Sequence, residues 1–97
     1  MLTPEGRTKR KLKQYLENND WFQYWPVPSG YGQQMVDCIA CRVSSGIAVP
    51  IAIECKREGV IKPAPRQAAI MKAMRAGGFR TYVVTIENNE LSWHEQS

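Results

Sequence analysis

Apolar and polar positions follow two different periods along the chain, and the first period predicts a helix. Leu12, Tyr15 and Leu16 form one apolar stripe at helical spacing, and lysine and arginine side chains occupy the remaining faces. The segment Thr3-Pro4-Glu5 supplies a capping hydroxyl, a proline suited to the first turn and an acid near the positive end of the helix dipole. We therefore expect a helix from this segment to about Glu17.

Shorter apolar, β-branched and aromatic runs are typical of β-strands. The predicted strands are Trp21–Trp25, Val36–Cys41, Ile51–Lys56, Arg80–Ile86 and a short edge strand at Leu91–Trp93. Ser44-Ser45-Gly46 predicts a turn that joins the second and third strands as an antiparallel hairpin, and Asn88-Asn89 predicts a turn before the last strand. We expect the aromatic side chains of the first strand to belong to the core.

A second helix is predicted between the third and fourth strands. It should start near Pro65 or Arg66 and end at Gly77-Gly78, and its positions at helical spacing are Gln67, Ile70, Met71 and Met74. The order helix, three strands, helix, one or two strands predicts an α/β (α+β) fold with a small mixed sheet flanked by helices. The strand after the second helix should lie parallel to the Glu54 strand, through a right-handed crossover.

Length and composition restrict the class of protein. A chain of 97 residues predicts one domain, residues 1–97, with a modest core. Hydrophobic content of 43% and charged content of 23% are typical of soluble globular chains. No apolar run approaches the roughly 20 residues that span a bilayer, and the basic N-terminus lacks the apolar core of a signal peptide. We expect a cytoplasmic protein, in the host cell if the chain is viral, with no membrane partner.

The charge of the chain is positive and unevenly distributed. Its net charge is +4 and its pI is about 9.2. Basic residues are concentrated in the first helix and in the segment from Lys56 to Arg80, whereas the charged residues after Arg80 are all acids. A clustered positive field favours a polyanionic partner such as nucleic acid.

Two acids in neighbouring predicted strands indicate a site of chemistry. The hairpin can bring Asp37 beside Glu54, and Lys56 projects from the same strand face as Glu54 because side chains alternate. Carboxylates gathered at the end of an apolar sheet are costly unless their charge is compensated. Mg²⁺ or Mn²⁺ suits such oxygen ligands. The alternative is that these are solvent-facing charges on a half-exposed hairpin.

At these residues the chain resembles the PD-(D/E)xK nuclease superfamily, and within it the virus-type replication-repair nuclease (VRR-NUC) domain. The resemblance covers nearly the whole chain, although Val36 stands where the family usually has proline before the aspartate. The matching residues are Pro4-Glu5-Gly6, Asp37, Glu54-Cys55-Lys56, Arg66-Gln67, Ala76-Gly77-Gly78-Phe79 and the strand from Thr81 to Ile86.

The resemblance implies a restriction-endonuclease-like core and a metal-dependent, structure-selective DNA endonuclease. Asp37, Glu54 and the backbone carbonyl of Cys55 would then bind Mg²⁺ or Mn²⁺, and Lys56 would orient the attacking water or stabilise the transition state. Gln67 would reach the water or the phosphate, unless it faces solvent. Glu5 would hold the metal through water, unless it serves only the helix dipole.

The substrate and the assembly are also implied by the resemblance. Stand-alone viral members suggest a homodimer that acts on branched DNA, such as Holliday junctions, flaps or forks, without a small-molecule cofactor. Contacts of lysine and arginine with DNA phosphates give affinity without base readout. The candidate nucleic-acid-binding residues are Lys9, Arg10, Lys13, Lys62, Arg66 and Lys72. The loop Pro28–Gly32 enters the Asp37 strand and should lie near the site.

Two other classes of function remain as alternatives. One is a non-catalytic nucleic-acid-binding module of the same fold. The other is a small metal-binding or redox protein that uses Cys38, Cys41 and Cys55. The first two cysteines have C-x-x-C spacing, but residues three apart in a strand face opposite ways and the only histidine, His94, is distant in sequence. We expect no disulfide, and we expect the thiols to be small buried hydrophobes.

Overall fold

The architecture is a five-stranded mixed sheet with one helix against each face. The computed structural model describes residues 2–27 and 35–97. The described elements are, in chain order, α1 (Pro4–Asn18), β1 (Phe22–Tyr24), β2 (Cys38–Ser44), β3 (Ile47–Cys55), α2 (Pro65–Ala76), β4 (Arg80–Glu87) and β5 (Glu90–Gln96). The predicted mixed α+β class is confirmed.

The strands lie in the sheet in their order along the chain, from β1 to β5. All neighbouring pairs are antiparallel except β3 and β4, which are parallel and are connected through α2. Parallel neighbours require a crossover, and the second helix supplies it. The predicted parallel pairing of the Glu54 strand with the strand after the second helix is therefore confirmed.

Two tight turns set the register of the antiparallel pairs. Ser44 pairs with Ile47 across the β2–β3 turn, where Ser45 and Gly46 have φ of 53° and 76°. Two successive positive φ angles suit the right-handed twist of a hairpin. The predicted turn at Asn88-Asn89 is equally tight, since Glu87 pairs with Glu90 across it. β5 runs to Gln96 and is longer than expected, because it pairs with β4 as far as Thr81.

Helix α1 begins as predicted but buries a somewhat different stripe. Thr3 Oγ1 accepts a hydrogen bond of 3.0 Å from the Gly6 amide, which caps the helix. The fully buried positions are Thr8, Leu12 and Leu16. Tyr15, expected in the stripe, is 40% exposed, and its ring lies 5.6 Å from that of Trp93. The buried stripe therefore has a hydroxyl at its N-terminal end.

The two faces of the sheet carry separate cores. On one face, Leu12 and Leu16 of α1 pack with the buried residues Ile53, Cys55 and Val84. On the other face, residues from α2, β3 and β4 form a smaller cluster that includes Met71, Ala52 and Val83. The alternation in β3 follows from the two-residue period of a strand.

The aromatic residues around β1 are less buried than expected. Phe22 and Tyr24 are exposed, and only Trp21 and Trp25 pack partly against the core. The expectation that this group forms core is therefore wrong for the two residues inside the strand. Their exposure follows from the position of β1 at the edge of the sheet. Tyr24 pairs with Ile39, which packs on the α2 face, and α2 itself lies over β3 and β4. Neither described helix is long and apolar enough to cross a membrane.

Candidate active site

The carboxylates of Asp37 and Glu54 lie opposite each other where β2 begins and β3 ends. Asp37 was expected inside a strand, but it occupies a bend immediately before β2. The pairing of Cys38 with Ile53 nevertheless places Asp37 across from Glu54 when the register is extended by one residue. Asp37 Oδ2 accepts a hydrogen bond of 2.8 Å from the Cys55 amide. The side chain of Asp37 thus satisfies an amide that a backbone carbonyl would satisfy in a continued ladder.

Glu54 is a buried carboxyl group with incomplete hydrogen bonding. Its side chain is 1% exposed, and within the described residues its Oε2 has no hydrogen-bond partner. Burial, followed by hydrogen bonding with Asp37 and the negative charge of that residue, raises the pKa of Glu54 to about 9. The alternative of a solvent-facing acid is therefore wrong for Glu54.

Lys56 lies just beyond the end of β3 and beside the carboxylates. Its amide donates a hydrogen bond of 2.9 Å to the carbonyl of Val84, which extends the contact with β4 by one residue. Its ammonium charge acts to lower the pKa of Glu54, against the larger effect of burial. The aspartate, glutamate and lysine of the predicted set are thus brought together.

Helix α1 adds two charged side chains to this site. Lys9 Nζ lies 3.5 Å from Asp37 Oδ1. Glu5, one turn earlier on the same helix face, contributes to the raised pKa of Glu54 through its negative charge. Lys9 was predicted as a phosphate contact, but its contact in the structure is a carboxylate of the site.

The side chain of Gln67, predicted to reach the water or the phosphate, makes a different contact in the structure. Gln67 Oε1 accepts a hydrogen bond of 3.0 Å from the Ala64 amide and caps the start of α2. Among the described residues, this side chain thus contacts backbone at the helix start and not the carboxylates. Its amide nitrogen keeps its donor capacity.

The remaining candidate phosphate contacts are spread over the surface. Lys13 Nζ lies 4.8 Å from the centroid of the Trp25 ring, a cation–π contact. Arg10 lines a shallow pocket with Leu2 and Ile86. The other three candidates lie on the loop before α2 and on exposed positions of α2, namely Lys62, Arg66 and Lys72. The structure does not gather these residues at the carboxylates as it does Lys9.

Two buried threonines near the site were not predicted from the sequence. Thr8 Oγ1 donates a hydrogen bond of 2.9 Å to the Lys56 carbonyl. Thr85 Oγ1 donates one of 2.7 Å to the Arg57 carbonyl. A signal for Thr8 was present, because it precedes Leu12 and Leu16 at four-residue spacing and so belongs to the buried stripe. Thr85 carries no comparable signal, because threonine is ordinary in a strand.

The donor set suits a hard divalent cation better than a soft one. Within residues 2–27 and 35–97, no group of three or more histidine, cysteine or acidic side chains is arranged to hold a metal. Two facing carboxylates and the unpartnered Oε2 of Glu54 do fit an oxygen-ligated ion such as Mg²⁺ or Mn²⁺, which would compensate their charge. The third predicted metal ligand is the backbone carbonyl of Cys55, the residue between Glu54 and Lys56.

The cysteines have the environment of buried hydrophobes at two of three positions. Cys38 and Cys55 are buried and Cys41 is half-buried, and all three are free thiols. Burial raises the pKa of Cys38 to about 12, and it raises the pKa of Cys55 further still. Thiols with raised pKa values are poor nucleophiles and poor metal ligands at neutral pH, since both roles need the thiolate.

The predicted loop at Pro28–Gly32 lies outside the described residues. Comparisons of the chain with protein families, with curated proteins and with solved structures find no match.

Proposed function

We propose that this protein is a metal-dependent, structure-selective DNA endonuclease that hydrolyses phosphodiester bonds. One observation supports the proposal above the others: Glu54, buried and with an unpartnered oxygen, lies across from Asp37 at the end of an apolar sheet. A buried carboxyl group beside a second, partly buried carboxylate is costly for folding alone. Perturbed acids beside a lysine are more typical of catalytic sites than of structural ones. The resemblance to the VRR-NUC domain points to the same chemistry.

The carboxylates have a defined task in this proposal. Asp37, Glu54 and the Cys55 carbonyl would hold Mg²⁺ or Mn²⁺, which would activate water and neutralise phosphate charge. Asp37 also anchors the backbone of β3 through the Cys55 amide, so that the ligand set is rigid before substrate binds. Glu54 must lose its proton to act as a ligand, because its pKa is raised.

The positive groups act on the phosphate and the attacking water. Lys56 stabilises the negative charge that develops on the phosphate in the transition state and orients the water. Gln67, whose oxygen is engaged in capping α2, donates from its amide nitrogen. Glu5 adjusts the charge of the site from the first turn of α1 and accepts hydrogen bonds from water. Lys9 exchanges its contact with Asp37 for one with the scissile phosphate.

The substrate is branched DNA, namely Holliday junctions, flaps or forks, bound by a homodimer. Net charge of +4 favours association with the backbone of DNA. The basic residues predicted to contact phosphates carry no base-reading pattern, and this favours recognition of DNA shape over sequence. A two-fold dimer would present two sites to a roughly symmetric four-way junction.

A cleavage assay tests the proposal. Labelled four-way junction, flap, fork, linear duplex and single-stranded DNA are incubated with Mg²⁺, Mn²⁺ or EDTA. We expect cutting of branched DNA with either metal and none with EDTA. Glu54→Gln and Lys56→Met should each reduce the rate at least about 100-fold, the size typical of a lost electrostatic group.

The matched control is Glu17→Gln, which neutralises an exposed acid in the last turn of α1, at the opposite end of that helix from Glu5, and should leave the rate within about threefold. Failure of the wild type to cut any substrate with either metal, while it still binds DNA, would contradict the enzyme. It would favour the alternative of a non-catalytic binding module.

A further inference from the structure

Two buried hydroxyls converge on the short segment that leaves β3 after Glu54. Thr8 belongs to α1 and Thr85 to β4, and both side chains are fully buried. Their Oγ1 atoms donate to consecutive carbonyls, at 2.9 Å to Lys56 and 2.7 Å to Arg57. Thr8 and Thr85 are far from this segment in sequence, so both hydrogen bonds are tertiary contacts.

The hydroxyls replace the bonds that a sheet would otherwise supply. β3 ends at Cys55, and its regular pairing with β4 stops there. The Cys55 amide is held by Asp37 and the Lys56 amide by Val84. The next two carbonyls take part in partly buried contacts, where an unpaired backbone group is costly, so each needs another donor. The two threonines continue the fixation of the backbone through the residue that carries the catalytic ammonium.

The hydroxyl of Thr8 is committed to this contact. Threonine inside a helix usually bonds back to the carbonyl four residues earlier. Here the distance to the Pro4 carbonyl is 3.4 Å, longer than the 2.9 Å to the Lys56 carbonyl. The bond therefore ties α1 to the end of β3. Since Glu5 and Lys9 lie on the same helix face as Thr8, the bond also sets the position of both relative to the carboxylates.

The two threonines approach the segment from opposite faces of the sheet. Val83, two residues before Thr85, packs with the cluster on the α2 face, and side chains two apart in a strand share a face. Thr8 comes from the α1 face with Leu12 and Leu16. The segment at Lys56 is therefore held on both sides.

We propose that Thr8 and Thr85 are positioning residues that hold Lys56 and the first turns of α1 against the carboxylate pair. This inference rests on the proposed function, because the readout of positioning is the rate of cleavage. Threonine at a fully buried site has few rotamers, so each hydroxyl delivers its bond from a fixed point. A displacement of about 1 Å in a catalytic group lowers the rate by up to about 100-fold.

The variants Thr8→Val and Thr85→Val keep the volume and the branching of each side chain but remove its hydroxyl. We expect each to lower kcat about 10-fold or more with KM changed less than about threefold, because orientation, and not DNA binding, is lost. Thr8→Ser and Thr85→Ser restore the hydroxyl and should recover kcat to within about threefold of the wild type.

Thr81→Val is the matched control. Thr81 lies on the same strand as Thr85 and is equally buried, and its hydroxyl accepts from Arg75 at 2.8 Å and donates to the Gln96 carbonyl at 3.1 Å. It lies near the start of β4, whereas Lys56 contacts Val84 near the other end. This variant should lower thermal stability and leave kcat unchanged.

A second readout does not require activity. Amide hydrogen exchange of the peptide covering residues 55–60, measured in EDTA, should be at least about fivefold faster in both valine variants than in the wild type and unchanged in Thr81→Val. Unchanged exchange in Thr8→Val and Thr85→Val would overturn the fixation of this segment.

If Thr81→Val lost as much kcat as the other two variants, the loss would follow from lower stability and not from positioning. That result would overturn the positioning role. Wild-type kcat in both valine variants would overturn it as well. A wild type that cuts no DNA would overturn the proposed function and the catalytic part of this inference, whereas the exchange result would still report on the hydroxyls.

Discussion

At the residue scale, the side chain that departs furthest from ordinary behaviour is Glu54. Its carboxyl is buried across from Asp37, and the positive charge of Lys56 favours its ionisation. An isolated buried carboxylate is unfavourable, so the group keeps its proton over a wide pH range. Metal binding and proton release are therefore coupled at this site.

The raised pKa of Glu54 predicts how stability depends on pH. The pKa rises from 4.5 to about 9 on folding, so between these values the folded protein binds a proton that the unfolded chain has lost. Stability contributed by this group is complete below about pH 4.5 and is lost as the pH rises towards 9. In EDTA, the free energy of unfolding of the wild type should fall between pH 5 and 9.

Glu54→Gln isolates this contribution, because the amide resembles the protonated acid and does not titrate. Urea denaturation of both proteins at pH 5, 7 and 9 should give a difference in unfolding free energy that grows with pH, in favour of the variant. A difference that stays constant over this range would show that Glu54 titrates near its ordinary pKa.

Helical spacing alone predicts which residues share a face with Lys9, but not what Lys9 contacts. Glu5, Thr8 and Lys9 fall at i, i+3 and i+4, so the sequence already places them on one face of α1. Glu5 acts on Glu54 through its negative charge, whereas its role in holding a metal through water stays a prediction. The contact of Lys9 with Asp37 depends on how α1 crosses the sheet, which the spacing does not contain.

At the element scale, the start of α2 joins a structural task to a proposed catalytic one. Ala64 has no polar side chain with which to cap the helix, and the Gln67 side chain reaches back to its amide instead. This half of a capping box is readable from a glutamine at the third helical position. The sequence predicts a contact of the Gln67 amide with water or phosphate, and the use of its oxygen in the cap was missed.

Substitutions at Gln67 separate these two tasks. Gln67→Glu keeps the oxygen that accepts from Ala64 and removes the amide donor, so it should leave thermal stability unchanged and lower the cleavage rate about 10-fold. Gln67→Ala removes both and should also cost about 1 kcal/mol of stability. Thermal denaturation and single-turnover cleavage measure the two effects, and full activity of Gln67→Glu would assign Gln67 to capping alone.

At the whole-molecule scale, the distribution of charge suits a polyanionic partner more than it defines one binding surface. Lys9 contacts a carboxylate and Lys13 an aromatic ring, whereas Arg66 and Lys72 are exposed on α2. Arg80 is exposed as well, but it forms two hydrogen bonds with Glu95, at 2.9 and 3.0 Å, so its charge is already paired. These two classes of arginine allow a controlled test of DNA binding.

Arg66→Ala should weaken binding of DNA of every sequence and reduce the slope of log K against log salt by about 1, the effect of one lost phosphate contact. Arg80→Ala is the control of the same residue type, since its charge is already paired with Glu95. Fluorescence anisotropy of a labelled junction between 50 and 300 mM salt measures both slopes. Equal slopes for Arg66→Ala and the wild type would remove Arg66 from the DNA interface.

The sequence by itself determined the features that depend on neighbours along the chain. The starts of both helices, the turn at Ser45-Gly46 and the alternation within β3 all follow from local propensity, capping and the two-residue period. Because the hairpin turn sets register, the meeting of Asp37 with Glu54 was also predictable. The family resemblance and the proposed chemistry rest on these same local patterns.

Only the tertiary structure decided which distant groups complete the site. The bonds from Thr8 to Lys56 and from Thr85 to Arg57, and the contact of Lys9 with Asp37, join segments far apart in sequence. The burial of Glu54 has the same origin, because it depends on the elements that pack around the end of β3. Propensity, capping and strand period do not predict these contacts, since the contacts arise from the packing of α1 and α2 against the sheet.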